Sequence, residues 1–191
     1  MADLQYQTLV FLGKPGAGKG TQGRMLAQTY EFEVFSSGDT FREMASRDTF
    51  LGHKVSRIVN QGELMPYWFA GFVFQDKVIN HLEPDQPIIF DGAARKRPEA
   101  ELVHDVLQWF ERDYRAVYID ISDKEAKQRL SERGETSNRA DDEHIQTRLD
   151  AYHEEVVPAI NYFKEVGTLV SINGEQTEEN VLAEIEEKLS K

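Results

Sequence analysis

Short apolar runs alternate along the chain with longer stretches of mixed character. Five of the runs, at 8–12, 33–35, 87–91, 116–121 and 169–172, read as strands. They are too short for helices, and their near-continuous apolar character suits strands buried on both faces, as in a parallel sheet. Between them, apolar positions recur at helical spacing, as at Ala126 and Leu130, with Arg133 on the same stripe, and at Val181, Ile185 and Leu189. Strand–helix alternation of this kind predicts a doubly wound α/β domain, with ligands outside the carboxyl ends of the strands.

Two segments depart from that plan. Residues 36–84 carry about three helical patterns with no strand between them, more than a crossover of ordinary length holds. Residues 134–141, Gly-Glu-Thr-Ser-Asn-Arg-Ala-Asp, are short and polar and lie between helical patterns. Segments with little buried surface open at low cost, so both are expected to act as flaps over a cleft. No repeat, low-complexity tract or break in composition marks a second domain, and 1–191 reads as one domain.

Composition narrows the classes. A chain of 191 residues with 40% hydrophobic content is a soluble globular protein with a core of its own. No apolar run approaches the roughly 18 residues of a membrane span. The start, Met1-Ala2-Asp3-Leu4, lacks the charged and apolar regions of a secretory signal, so no leader is expected. Cysteine is absent, which excludes disulfides and thiolate-bound zinc and suits a reducing cytoplasm. The five histidines are scattered without metal-ligand spacing and read as surface or packing residues. A net charge of −12 argues against broad nucleic-acid binding. It also leaves an anionic ligand in need of a local basic site. Arg42, Arg95, Lys96, Arg97, Arg129, Arg133, Arg139 and Arg148 are the candidates to converge on one.

The strongest local motif is Gly13-Lys14-Pro15-Gly16-Ala17-Gly18-Lys19-Gly20-Thr21, after the strand at 8–12 and before a helical pattern at 22–30. That context defines a phosphate loop. Glycines turn backbone N–H groups inward around a β-phosphate, the helix N-terminus adds its dipole, and Lys19 reaches the β- and γ-phosphates.

Further segments then follow in a definite order. They are Ser36-Ser37-Gly38-Asp39-Thr40-Phe41-Arg42, Gly62-Glu63-Leu64-Met65-Pro66 and Asp91-Gly92-Ala93-Ala94-Arg95. After these come Arg129-Leu130 with Arg133, Asn138-Arg139-Ala140-Asp141-Asp142, Arg148-Leu149, and Tyr152 and Pro158. Over nearly its whole length the chain resembles the adenylate kinase family. The resemblance implies a three-layer P-loop fold with a five-stranded parallel sheet, a helical acceptor-binding insertion at 36–84 and a short lid at 134–141. It implies reversible transfer of the ATP γ-phosphoryl group to a nucleoside monophosphate, with Mg²⁺ as cofactor, and it favours a monomer; the compartment expected from the lack of cysteine is the cytoplasm. Such transfer rests on positioning and charge neutralisation, so a loop lysine and several arginines are a sufficient toolkit.

By the same resemblance, ATP is held by Gly13, Pro15, Gly16, Ala17, Gly18, Lys19, Gly20 and Thr21, with Arg129 stacked on its adenine and the backbone near Gln176 reading the base. Arg42 and Arg95 grip the acceptor phosphate, for which the planar guanidinium fork is suited. Ser37, Leu64, Met65, Gly92 and Glu99 complete the acceptor side. Arg133, Arg139 and Arg148 join Lys19 and Arg95 around the transferring group, and Asp141 and Asp142 latch the lid. Asp91 holds Mg²⁺ through water, since magnesium keeps much of its hydration shell.

Three departures concern the acceptor and the lid. Ala93-Ala94 replace the family's Phe-Pro, and Glu99 replaces a glutamine that pairs with the AMP base. An ionised carboxylate only accepts hydrogen bonds, which suits guanine or cytosine donors better than adenine. Equally, an acid just after Pro98 suits the first turn of a helix. The stretch from Arg139 to Arg148 is about two residues short, which on a helix turns Arg148 by roughly 200°. The aromatic group around Tyr67 and Trp68 offers a wall for the acceptor base. AMP is the first acceptor reading. A GMP, CMP or UMP kinase, or a nucleotide-binding regulatory protein with a decayed acceptor site, remain as alternatives.

Overall fold

A computed structural model of the chain describes residues 4–134 and 144–190. Five strands, β1 (Thr8–Gly13), β2 (Glu33–Ser36), β3 (Ile88–Asp91), β4 (Tyr114–Asp120) and β5 (Leu169–Asn173), pair in parallel in the order β2-β3-β1-β4-β5. All five expected strands are present. β4 begins two residues before its expected start, because Arg115 interrupts the apolar run. Its guanidinium lies over the Tyr6 ring at 4.1 Å, which lets a charged residue sit within a strand.

The period of two sorts each strand between two cores. Val10, Leu12, Ile88, Phe90 and Ala116 face one layer, and Leu9, Phe11, Ile89, Val117 and Ile119 face the other. The first layer is α4 (Tyr67–His81), α5 (Arg97–Trp109) and α8 (Val157–Glu165). The second contains α1 (Lys19–Tyr30) and α9 (Glu178–Leu189), with residues of α6 (Asp123–Gly134) and α7 (Ile145–Ala151). Ala126 and Leu130 are fully buried on α6, and Val181, Ile185 and Leu189 are buried on α9, so the helical stripes face inward as spaced. Phe90 is enclosed by edge-on rings of Phe35 and Phe74, 5.8 and 4.9 Å away. Truncating a ring so placed costs about 3–5 kcal/mol.

The segment after β2 folds as α2 (Ser37–Ala45) and α3 (Phe50–Asn60), followed by α4. Ser36 and Thr49 cap α2 and α3 by accepting from the N–H groups of Asp39 and Gly52. Phe41, Val55, Met65, Ala70 and Val73 give these helices a small core separate from the sheet. After α7 comes a π-helical turn, Tyr152–Val156, just before Pro158. Proline has no N–H for the regular bond to the carbonyl four residues back, and the wider turn falls at that point. β1 lies between β3 and β4, where the strand order reverses, so the crevice opens at its carboxyl end.

Candidate active site

The crevice begins where β1 turns into α1. A Cβ on Gly13, at φ +143°, would fall 2.5 Å from the Ile119 carbonyl oxygen, so β1 approaches β4 here as only glycine allows. Gly16 and Gly18 also have positive φ, +83° and +88°. Gly18 caps α1, which starts at Lys19, three residues before the expected helix. The lysine thus belongs to the first helical turn. Its ammonium folds back and donates to the carbonyls of Gly13 at 2.9 Å and Lys14 at 3.0 Å.

Lys19 is also where the charges of the cleft meet. Burial pulls its pKa down to about 8; Asp91 opposes the shift, and Arg95, Arg148 and Arg133 reinforce it. Three arginines distant in sequence are therefore close enough to act on one ammonium. This local concentration of cations meets the need of an anionic ligand on a chain of net charge −12.

Arg42, on α2, and Arg95, on the loop between β3 and α5, converge on Gly38. A Cβ there would stand 3.3 Å from Arg42 and 3.5 Å from Arg95. Arg42 also meets Asp39 at 2.6 Å. Gly92, at φ +81°, leaves room for the Arg95 guanidinium and the Ser37 hydroxyl, which a Cβ would meet at 2.6 and 2.8 Å. Ser37 donates to the Gly92 carbonyl at 2.8 Å and so ties α2 to the loop carrying Arg95. Leu64 and Met65 line the cleft with Phe41 and Val59. The last two were not among the expected site residues; as apolar positions on amphipathic helices they carry no signal beyond core packing.

On the opposite side, Arg129 bridges α6 to the loop after β5, donating to the Gly174 carbonyl at 2.9 Å and to Glu125 at 2.7 Å. Gln176 donates to the Asn173 carbonyl and to Glu184. Arg129, Gly174, Gln176 and Thr177 line the same cleft as the phosphate loop, whose volume is about 950 Å³. Arg148 enters it too, although the short stretch before it suggested a displaced side chain. Its position follows from packing: a Cβ on Gly62 would stand 3.2 Å from Arg148 Cγ and 3.1 Å from His144 Cβ. α7 thus rests on the turn between α3 and α4. Asn138, Arg139, Asp141 and Asp142 lie outside the described residues.

Glu99 is not in the cleft. It is 2% exposed, and its carboxylate accepts the backbone N–H of Arg95 at 2.8 Å. Burial pushes its pKa up to about 7, against the favourable charges and N–H groups of Arg95 and Lys96. Of the two readings of this residue, the structure contains the one in which it braces the start of α5. Tyr67 and Trp68, 54% and 65% exposed, lie outside the cleft lining, so the expected aromatic wall is not formed. Ala93 and Ala94 are buried against the sheet core.

Lys14 was not among the expected site residues. It lies in the phosphate loop yet its side chain is 9% exposed and turns away from the cleft, toward Asp120, Asp123 and Tyr152. A second lysine within one loop was the available signal.

The strand order, the phosphate loop and the basic cleft define a P-loop nucleotide-binding protein. Residues 11–168 match the sequence profile of the family described as "Adenylate kinase". The chain is 33% identical to an adenylate kinase of Thermus thermophilus, over 94% of this chain and 95% of that protein. It is 35% identical to one of Flavobacterium johnsoniae over 91% and 93% of the two chains. It is 34% identical to adenylate kinase 1 of a Nostoc species over 95% and 97%. The chain belongs to the adenylate kinase family.

Proposed function

We propose that the chain transfers the γ-phosphoryl group of ATP reversibly to AMP, giving two molecules of ADP. The observation that carries the reading is the convergence of Arg95, Arg133 and Arg148 on Lys19 in a cleft that also contains Arg42. In the reaction a phosphate oxygen of AMP forms a bond to the γ-phosphorus as the bond to the β–γ bridging oxygen breaks. The attacking phosphate is already ionised near neutral pH, its second pKa being about 6, so no general base is required. What the protein must supply is alignment and positive charge.

The roles we assign are those that the family resemblance implies, supported by the lining of the cleft. The loop from Gly13 to Thr21 holds the ATP phosphates, with Pro15, Gly16, Ala17, Gly18 and Gly20 shaping it and Lys19 crossing to the γ-phosphate. Arg129 and the backbone around Gln176 hold the adenine. Arg42 and Arg95 grip the acceptor phosphate, and Ser37, Leu64, Met65 and Gly92 form the wall around the acceptor nucleoside. Arg133 and Arg148, with Arg139 from the lid, neutralise the group in transit. We assign the acceptor-binding part to the helices from 36 to 84 and the lid to 134–141.

Asp91 stands at the end of β3 and lines the cleft beside Lys19 and Thr21. Among the described residues no group of three acidic or histidine ligands could cage a metal. One carboxylate among phosphates suits Mg²⁺, which keeps its waters and is held chiefly by substrate. The metal would neutralise charge on the β- and γ-phosphates.

We assign a monomer, as the resemblance to the adenylate kinase family favours. No helix among the described residues is long and apolar enough to cross a membrane. With no cysteine in the sequence, a reducing cytoplasm is the compartment we assign.

Purified protein with Mg·ATP and each nucleoside monophosphate in turn, coupled to ADP detection, tests the reading. Product with AMP at the highest kcat/KM is expected. Preference for GMP, CMP or UMP would overturn the acceptor assignment, and no product with any acceptor would favour a regulatory nucleotide binder.

A further inference from the structure

The phosphate loop holds two lysines that leave it on opposite sides. Lys19 enters the cleft. Lys14 goes beneath the loop, where its ammonium donates to the Ile121 carbonyl at 2.7 Å and lies 3.5 Å from Asp123 and 3.8 Å from Asp120. It also stands 4.8 Å from the centroid of the Tyr152 ring, within cation–π range. These groups come from three places: the end of β4, the start of α6, and the π-helical turn that follows α7.

They are themselves tied together. The Tyr118 hydroxyl donates to Asp120 at 2.6 Å and lies 2.9 Å from the Tyr152 hydroxyl. Since the single proton of Tyr118 is committed to the carboxylate, Tyr152 donates to Tyr118. On the other side His153 Nε2 meets Asp123 at 2.9 Å. Lys14 is thus the centre of a connected polar group at 9% side-chain exposure, while both carboxylates are about half exposed.

The main chain of the same residue faces the reaction. The Lys14 carbonyl accepts from the Lys19 ammonium at 3.0 Å and from the Ala17 N–H at 3.1 Å. A shift of Lys14 therefore moves both the resting place of Lys19 and the turn that directs the loop N–H groups. Tyr152 lies four residues after Arg148, on the continuation of the same helix, so the contact with its ring also links the donor loop to the element carrying Arg148.

We propose that Lys14 is a positioning residue for ATP. Its buried ammonium pins the phosphate loop to the end of β4 and to the turn after α7, and through its carbonyl it sets where Lys19 stands. It touches no phosphate. The inference rests on the reading of the loop as the ATP site.

Kinetics of Lys14→Met, which keeps the length and apolar stem of the side chain but removes the ammonium, test this. KM for Mg·ATP is expected to rise about tenfold with a fall in kcat, a modest share of the 10²-fold that misplacement by 1 Å can cost. KM for AMP should stay within about twofold, because Arg42 and Arg95 are held by other contacts. Lys14→Arg, which keeps the charge, should recover part of the ATP affinity. A purely structural role would lower the melting temperature and the active fraction and leave both KM values unchanged. Measured below the melting transition of each variant, unchanged ATP KM or an equal rise in both KM values overturns the proposal. Should Lys14→Met fail to fold, Tyr152→Leu, which removes the ring over the ammonium, is read by the same criteria. Failure of the underlying site assignment is distinguishable, because the wild-type protein would then show no saturable dependence on ATP.

Discussion

The Glu99 carboxylate accepts the backbone N–H of Arg95 at 2.8 Å, with both residues on the segment that leads from β3 into α5. The contact fixes the main chain of an arginine whose guanidinium shares Gly38 with Arg42. Removing the acceptor leaves a partly buried N–H without this partner and frees the loop. Glu99→Ala is expected to raise KM for AMP about tenfold with little change in KM for ATP, the effect of losing one hydrogen bond to a charged group. Glu99→Gln retains a carbonyl oxygen for the same N–H and should recover most of the loss. A large change in acceptor-base preference in Glu99→Gln would show instead that the residue reads the base.

The same burial predicts a pH effect on stability. The Glu99 pKa lies at about 7, above the ordinary 4.5. Its neutral form is favoured in the folded chain, so this contribution is fully present below about pH 4.5 and is lost as pH rises through about 7. Between pH 5 and pH 8, wild type should lose up to roughly 3 kcal/mol relative to Glu99→Gln. Urea unfolding of both proteins at the two pH values measures the difference, and parallel behaviour would exclude it.

Lys19 predicts a pH effect on turnover. Its pKa of about 8 in the free protein means that the ammonium needed by the γ-phosphate is lost as pH rises through that value. The profile of kcat/KM for Mg·ATP, which reports the free enzyme, should bend near pH 8 and then fall toward tenfold per unit. Lys19→Arg, with a charge that does not titrate, should be weaker but flat over pH 7–9.5. Lys19→Ala should lose several orders of magnitude, as expected when a positioned charge in a dry site is removed.

Gly62 supports Arg148 by close approach. At φ +71° and within reach of Arg148 Cγ and His144 Cβ, it has no space for a branched side chain. Gly62→Val should destabilise the chain by about 1–3 kcal/mol through backbone strain and displace α7. We expect kcat to fall at least about tenfold, since a group shifted by an ångström at the transferring phosphate is costly. Thermal unfolding and steady-state kinetics together check this; a stability loss with unchanged kcat would separate Gly62 from Arg148.

Much of this protein is legible in the chain alone. The positions of the five strands follow from short apolar runs, because a strand covered on both faces must be apolar at nearly every residue. The phosphate loop follows from its glycines, and the arginines of the cleft from their place in ordered motifs. Lys14 and Glu99 mark the boundary of that legibility. In sequence one is a loop residue beside the motif lysine, and the other is an acid that suits a base edge or a helix start equally well. Tertiary structure sends Lys14 beneath the loop to Asp120, Asp123 and Tyr152, and turns Glu99 onto the Arg95 N–H. Local pattern determines where backbone turns and which residues are buried. The direction of a buried charge depends on oxygens, N–H groups and rings that arrive from elsewhere in the chain, and those exist only once the sheet has assembled.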